Sequence, residues 1–166
     1  MVGWGMETHG RPPRLKRWDY SRAGVYFVTL TVREWRPWFR EVAQPEGPLT
    51  RAGSIVLDTW LSLPGKFPRV RLDQMLVMPE HVHAILILRD SPGPPDPLGE
   101  VVRYWKGVTR TKLKGECPEF RWRTGFYDRI IRSQGALTQV RRYILQNPAN
   151  YKGPWAELPV KPPDSF

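Results

Sequence analysis

Apolar and polar positions repeat along the chain with two different periods, and the switches between them outline its elements. Residues 24–32 (GVYFVTLTV) are dense in β-branched and aromatic side chains and begin at a glycine, which predicts a strand. Residues 70–78 alternate and then turn apolar before Pro79, and His81–Leu88 follows after only Pro79 and Glu80. So short a break predicts two antiparallel strands joined as a hairpin. Residues 38–42 predict a short additional strand. Helical spacing takes over in three other stretches. Residues 52–63 set Ile55, Val56, Thr59, Trp60 and Leu63 on one face, with Pro64 expected to end the helix. Residues 98–113 space Val101, Val102, Trp105, Val108 and Leu113 among many basic residues. Residues 134–146 carry a Leu137/Val140/Ile144 stripe, with Ser133 placed as N-cap and Asn147-Pro148 as the stop. Strands separated by helices, with one hairpin, predict an α+β sandwich: a mostly antiparallel sheet with helices packed on one face.

The length of 166 residues favours a single domain. Eighteen prolines gather mainly at 10–13, 92–97 and 154–163, and the middle cluster reads as a loop inside that domain. The expected organisation is a basic N-terminal arm (1–23), one domain (24–150) and a Pro-rich tail (151–166). One cysteine, Cys117, forbids an internal disulfide and fits a reducing cytoplasm. No N-terminal apolar run suggests a secretory leader, and no segment approaches the ~20 apolar residues of a membrane span.

Charge narrows the partner. Lys and Arg number 26 against 16 Asp and Glu, a formal +10, which favours a polyanion. Residues 99–142 alone hold eleven basic and four acidic side chains, so the excess is concentrated as a phosphate-binding surface would require. Arg103, Lys106, Arg110 and Lys112 stand on the second predicted helix; Arg121, Arg123, Arg129, Arg132 and Arg142 follow. Trp105, Trp122 and Phe126 are interleaved with them, and their spacing suits stacking on unpaired bases or packing in a core. An anionic membrane surface fits less well, because no helix joins a broad apolar face to a basic one.

Two groups of side chains carry candidate chemistry. In His81-Val82-His83, strand geometry puts both imidazoles on one face. Spacing alone leaves three readings open: a packed pair, a structural zinc site completed by Cys117 and His9, or an open site finished by oxygen donors and water. The shortage of further soft ligands favours the open site and Mg²⁺ or Mn²⁺. On the last helix Tyr143 and Asn147 lie four apart, hence on one face beside the apolar stripe. They read either as a boundary tyrosine with a helix-closing asparagine, or as a nucleophile with a carbonyl oxygen able to complete a metal shell. A tyrosine suits phosphodiester cleavage because its phosphate ester conserves the bond energy and a hydroxyl can reverse the step.

These residues, with their surroundings, resemble the single-tyrosine HUH transposases, including the REP-associated tyrosine transposases and their domesticated relatives. The matching words are DYSRAGVYFVT (19–29, with Asp19 and Tyr20 leading), LVMPEHVH (76–83), FYDRIIR (126–132) and RYILQNP (142–148). The resemblance runs over roughly residues 15–155 and rests on the combination of the histidine and tyrosine words rather than on either alone. It implies a ferredoxin- or RRM-like sandwich and a metal-dependent nuclease and strand transferase acting on single-stranded or hairpin DNA. It implies His81 and His83 as paired metal ligands, Tyr143 as the nucleophile that forms a 5′-phosphotyrosine, and Asn147 as a polar group approaching the metal. It further implies a cytoplasmic, nucleoid-associated protein, as a monomer or a homodimer. Arg129 departs from the histidine that family members often carry at that position. Tyr127, a second tyrosine in the same word, lacks a polar residue at i+4 and ranks below Tyr143. The competing reading is a catalytically silent, domesticated module that grips structured DNA or RNA; such a module has no chemical need for His81, His83, Tyr143 and Asn147 together.

Overall fold

The computed structural model describes residues 19–92 and 95–153. Along it run β1 (Gly24–Thr31), α1 (Arg51–Lys66), β2 (Val70–Val77), β3 (His81–Leu88), α2 (Leu98–Leu113), β4 (Tyr127–Ile131) and α3 (Gln134–Gln146). The strands form one sheet in the order β2-β3-β1-β4, each pair antiparallel. This is the α+β architecture that the hydrophobic pattern predicts. β1 and β3 take the centre because they carry the most continuous apolar runs, and β3 is buried at all but one position.

The helices divide between two faces, which corrects the expectation of one. Tyr26, Val28 and Leu30 of β1 join Val82, Ala84 and Leu86 of β3 in a core with α1 and α2. Alternation sends Phe27 and Ile85 the other way, where Leu137, Val140 and Ile144 of α3 cover them. The cause is physical: two central strands apolar on both faces need a helical layer on each.

Three further expectations change. Pro64 does not end α1, which continues to Lys66. The ring falls in the last turn, where its missing N–H removes one bond, and Phe67 N still donates to the Leu63 carbonyl at 2.8 Å. Residues 38–42 are not a strand. Phe39 N donates to the Pro79 carbonyl and Phe39 O accepts from Thr50 N, both at 2.9 Å, so this backbone joins the β2–β3 turn to the start of α1. β4 is a strand that periodicity does not predict: it is short, carries adjacent Asp128 and Arg129, and pairs along one side with β1.

α2 and α3 occupy their predicted bounds, and Ser133 Oγ accepts from Ala136 N at 3.1 Å as the expected cap. β2 has a register irregularity between Leu72 and Met75, and Asp73 within it pairs with Arg141 of α3 (Nε to Oδ1 2.9 Å). Packing runs past the expected bounds of 24 and 150. Leu98 N donates to the Tyr20 carbonyl at 3.0 Å, and the Tyr151 hydroxyl reaches Glu80. Most of the basic arm (1–18) and most of the Pro-rich tail (154–166) lie outside the described residues. Among the described residues no helix is long and apolar enough to cross a membrane.

Candidate active site

The histidines open β3, immediately after the hairpin turn, and antiparallel register sets Thr29 opposite His83 and Thr31 opposite His81. Both imidazoles are buried, on the face that α3 covers. Their Nε2 atoms face each other at 3.1 Å. Behind them, His81 Nδ1 meets Glu80 Oε1 at 2.9 Å and His83 Nδ1 meets Thr29 Oγ1 at 2.9 Å. A carboxylate only accepts, so His81 carries its proton on Nδ1 and turns the Nε2 lone pair to the gap. His83 then donates from Nε2 and accepts from the Thr29 hydroxyl. Because a hydroxyl can reverse its role, His83 Nδ1 keeps Thr29 as partner in either tautomer, but its Nδ1–H form leaves two Nε2 lone pairs facing each other across the gap. Burial, with His81 second, holds His83 well below the ordinary imidazole pKa and keeps it neutral.

This donor set fits a divalent ion. Two nitrogens 3.1 Å apart can both bond one ion at about 2.1 Å, and each ring is oriented from behind, as metal-ligating histidines generally are. Among the described residues no third His, Cys, Asp or Glu joins them, so oxygen donors would complete the shell. The zinc reading loses Cys117, which packs with the core on the opposite side of the sheet; His9 lies outside the described residues.

Tyr143 enters the same face from α3. Its ring stands edge-on to His83, centroids 5.5 Å apart, and edge-on to Phe27 at 6.1 Å. The helix is directed here by its Leu137/Val140/Ile144 stripe and by the Arg141–Asp73 pair. Burial raises the Tyr143 phenol above its ordinary pKa, a hydrogen bond from the Asn147 side chain opposes the rise, and nearby Tyr127 adds to it. Asn147, itself buried at the end of the helix, thus favours the ionised phenol. Tyr143, named from helical spacing and bonded to Asn147, therefore meets His83, named from strand alternation and facing His81.

The cationic and aromatic candidates scatter more widely. α2 lies behind the sheet, so Arg103, Lys106, Arg110 and Lys112 stand on the side opposite Tyr143. Arg103 and Lys112 are exposed. Lys106 is committed to structure: Nζ donates to the Arg123 and Gly125 carbonyls at 2.6 and 2.7 Å, and burial lowers its pKa to about 8. Arg110 and Arg121 donate to the Pro118 carbonyl. Arg123 lies over the Trp35 ring at 6.0 Å. Arg129 pairs across β4–β1 with Phe27, on the tyrosine face, and Arg132 and Arg142 are exposed at the end of β4 and on α3. Trp105 is corrected: it is fully buried against Trp60, and its Nε1 donates to the Val56 carbonyl at 3.1 Å, so no base can stack on it. Trp122 packs against Phe39 and Phe120, and Phe126 leans on the α1/α2 core, each half-buried on the side of the sheet away from Tyr143. A cavity of about 520 Å³ beside α2 gathers Tyr20, Arg103, Lys106 and Phe126, away from Tyr143.

Sequence reasoning assigned no role to Glu80, Thr29 or Tyr151. Glu80 is fully buried, and its Oε2 accepts from the Tyr151 hydroxyl at 2.7 Å. Burial first, then this carboxylate, drives the Tyr151 phenol far above its ordinary pKa. A carboxyl beside a candidate ligand in a proline turn was a readable signal; the other two partners come from distant chain.

Fold and site together define an α+β protein with a four-stranded antiparallel sheet that presents paired histidines and a tyrosine on one face. A solved structure of this fold is a REP-associated tyrosine transposase bound to a REP hairpin. It superposes with a TM-score of 0.63 and 20% identity, over 84% of this chain and 75% of that one. An uncharacterised Haemophilus influenzae protein is 28% identical over 159 residues, 84% of this chain and 88% of the other. No family model matches the chain.

Proposed function

We propose that the protein is a transposase-like endonuclease and strand transferase of single-stranded or hairpin DNA, belonging with the single-tyrosine HUH enzymes, with Tyr143 as nucleophile. The observation that carries this reading is the Tyr143 ring lying 5.5 Å from that of His83 within one chain. The hairpin bound to the transposase of the same fold supports DNA of that kind as substrate. His81 and His83, with Asn147 Oδ1, would hold Mg²⁺ or Mn²⁺. The ion would polarise the scissile phosphate as a Lewis acid.

The rest falls to the chain's own side chains. The phenol gives up its proton to solvent, and Tyr143 Oη attacks phosphorus in line. The new O–P bond makes a 5′-phosphotyrosine as the P–O3′ bond breaks, and the departing oxygen takes a proton from solvent to become a 3′-hydroxyl. Attack by another 3′-hydroxyl reverses the step and releases the phenol. Asn147, donating to Oη, favours the ionised phenol. Arg129, Arg132 and Arg142 would hold phosphates on the tyrosine face. With Tyr143 beside His83 in one copy, the proposed site would need no second subunit, and the expected setting is the cytoplasmic nucleoid.

Incubation with end-labelled hairpin DNA and Mn²⁺ tests the reading. Wild type forms a denaturation-resistant adduct, and Tyr143→Phe forms none while still binding the hairpin. An adduct in Tyr143→Phe removes the nucleophile assignment, whereas binding without any wild-type adduct supports the silent module instead.

A further inference from the structure

Building on the endonuclease reading, we infer that Tyr151 is a positioning residue: through Glu80 it fixes the imidazole of His81 and pins the end of the tyrosine helix to the histidine turn. Tyr151 follows α3 directly, after the 3₁₀ turn Pro148–Asn150. Its hydroxyl donates to Glu80 Oε2 at 2.7 Å, Glu80 Oε1 accepts from His81 Nδ1 at 2.9 Å, and His81 Nε2 meets His83 Nε2 at 3.1 Å. The run ends at Thr29, whose Oγ1 is 2.9 Å from His83 Nδ1.

The Glu80 backbone is fixed independently. Its carbonyl accepts from Val32 N at 3.0 Å, and the adjoining Pro79 carbonyl accepts from Phe39 N at 2.9 Å. A fully buried carboxylate keeps one orientation while each oxygen has its donor, and leaving one oxygen bare is costly. Without the Tyr151 hydroxyl the carboxylate turns or draws in water, and its hold on His81 Nδ1 weakens. The same bond anchors the chain eight residues beyond Tyr143, so one contact holds phenol and imidazoles in register.

Long-range ¹H–¹⁵N spectra of the imidazoles test this on the full chain without metal or DNA. Wild type shows His81 as the Nδ1–H tautomer with a downfield Nδ1 proton. In Tyr151→Phe that proton moves upfield and the second tautomer appears. Glu80→Gln, similar in shape, reads the same link from its other end should Tyr151→Phe not fold. Mn²⁺ affinity, followed by electron paramagnetic resonance, falls about 10-fold in Tyr151→Phe and about 10–100-fold in Glu80→Gln. Asn150→Ala removes a neighbouring bond, Nδ2 to the Gln146 carbonyl at 3.0 Å, and leaves spectrum and affinity unchanged. An unchanged His81 signature in Tyr151→Phe, or an equal change in Asn150→Ala, overturns the proposal. A wild type that binds no Mn²⁺ removes the endonuclease reading instead, and the His81 spectrum still decides the role of Tyr151.

Discussion

Asn147 bears on Tyr143 through protonation. Buried as it is, the phenol is held above its ordinary pKa and is neutral at physiological pH, whereas the nucleophile of the proposed reaction would be the phenolate. The adduct rate therefore rises with pH across the neutral range. Asn147→Ala removes the donor that favours ionisation, so the phenol pKa goes higher and the pH–rate profile moves to more alkaline values; single-turnover adduct formation between pH 6 and 9 measures it. Coincident profiles for the two proteins remove that role for Asn147. The four side chains of this cluster were legible because each depends on a local period: two residues for His81 and His83, four for Tyr143 and Asn147. Thr29 and Tyr151 were not, because their roles arise from strand register across 54 residues and from a chain return across 71. No local pattern encodes either distance.

Element by element, periodicity located three helices and three strands and missed β4. An edge strand of five residues with two adjacent charges offers no apolar run to detect, and its burial is partial throughout except at Ile131. The misread segment 38–42 fails for the opposite reason: Phe39 is buried in the core, but its backbone bonds go to a turn and a helix start. Gly53 records that junction. A Cβ there would stand 2.5 Å from the Phe39 carbonyl oxygen, which is backbone and cannot swing away. Helix propensity alone would make Gly53→Ala stabilising by roughly 0.5–1 kcal/mol. Overpacking wins, and we expect a net loss of about 1–3 kcal/mol in urea denaturation. A neutral or stabilised variant would show that Phe39 yields.

Across the whole molecule, the sheet separates two sets of cations that lie close in sequence. Arg142 shares the tyrosine face, whereas Arg103 and Lys112 lie behind the sheet on α2. If the hairpin is held on the tyrosine face, Arg142→Ala weakens binding and lowers the slope of log K against log salt by about 1. Arg103→Ala and Lys112→Ala leave that slope unchanged, and the reverse ranking would move the DNA to α2. Chain order could not reveal this division, since it follows from which face each helix covers. Glu80 has a consequence at the same scale. In a chain of formal charge +10, an acidic side chain is fully buried one hydrogen bond behind an imidazole. On the proposed reading the exterior would attract a polyanion while this interior point would attract a dication. With the counter-charge standing one shell back, both can converge on the same place without an acidic ligand taking the position a phosphate oxygen needs.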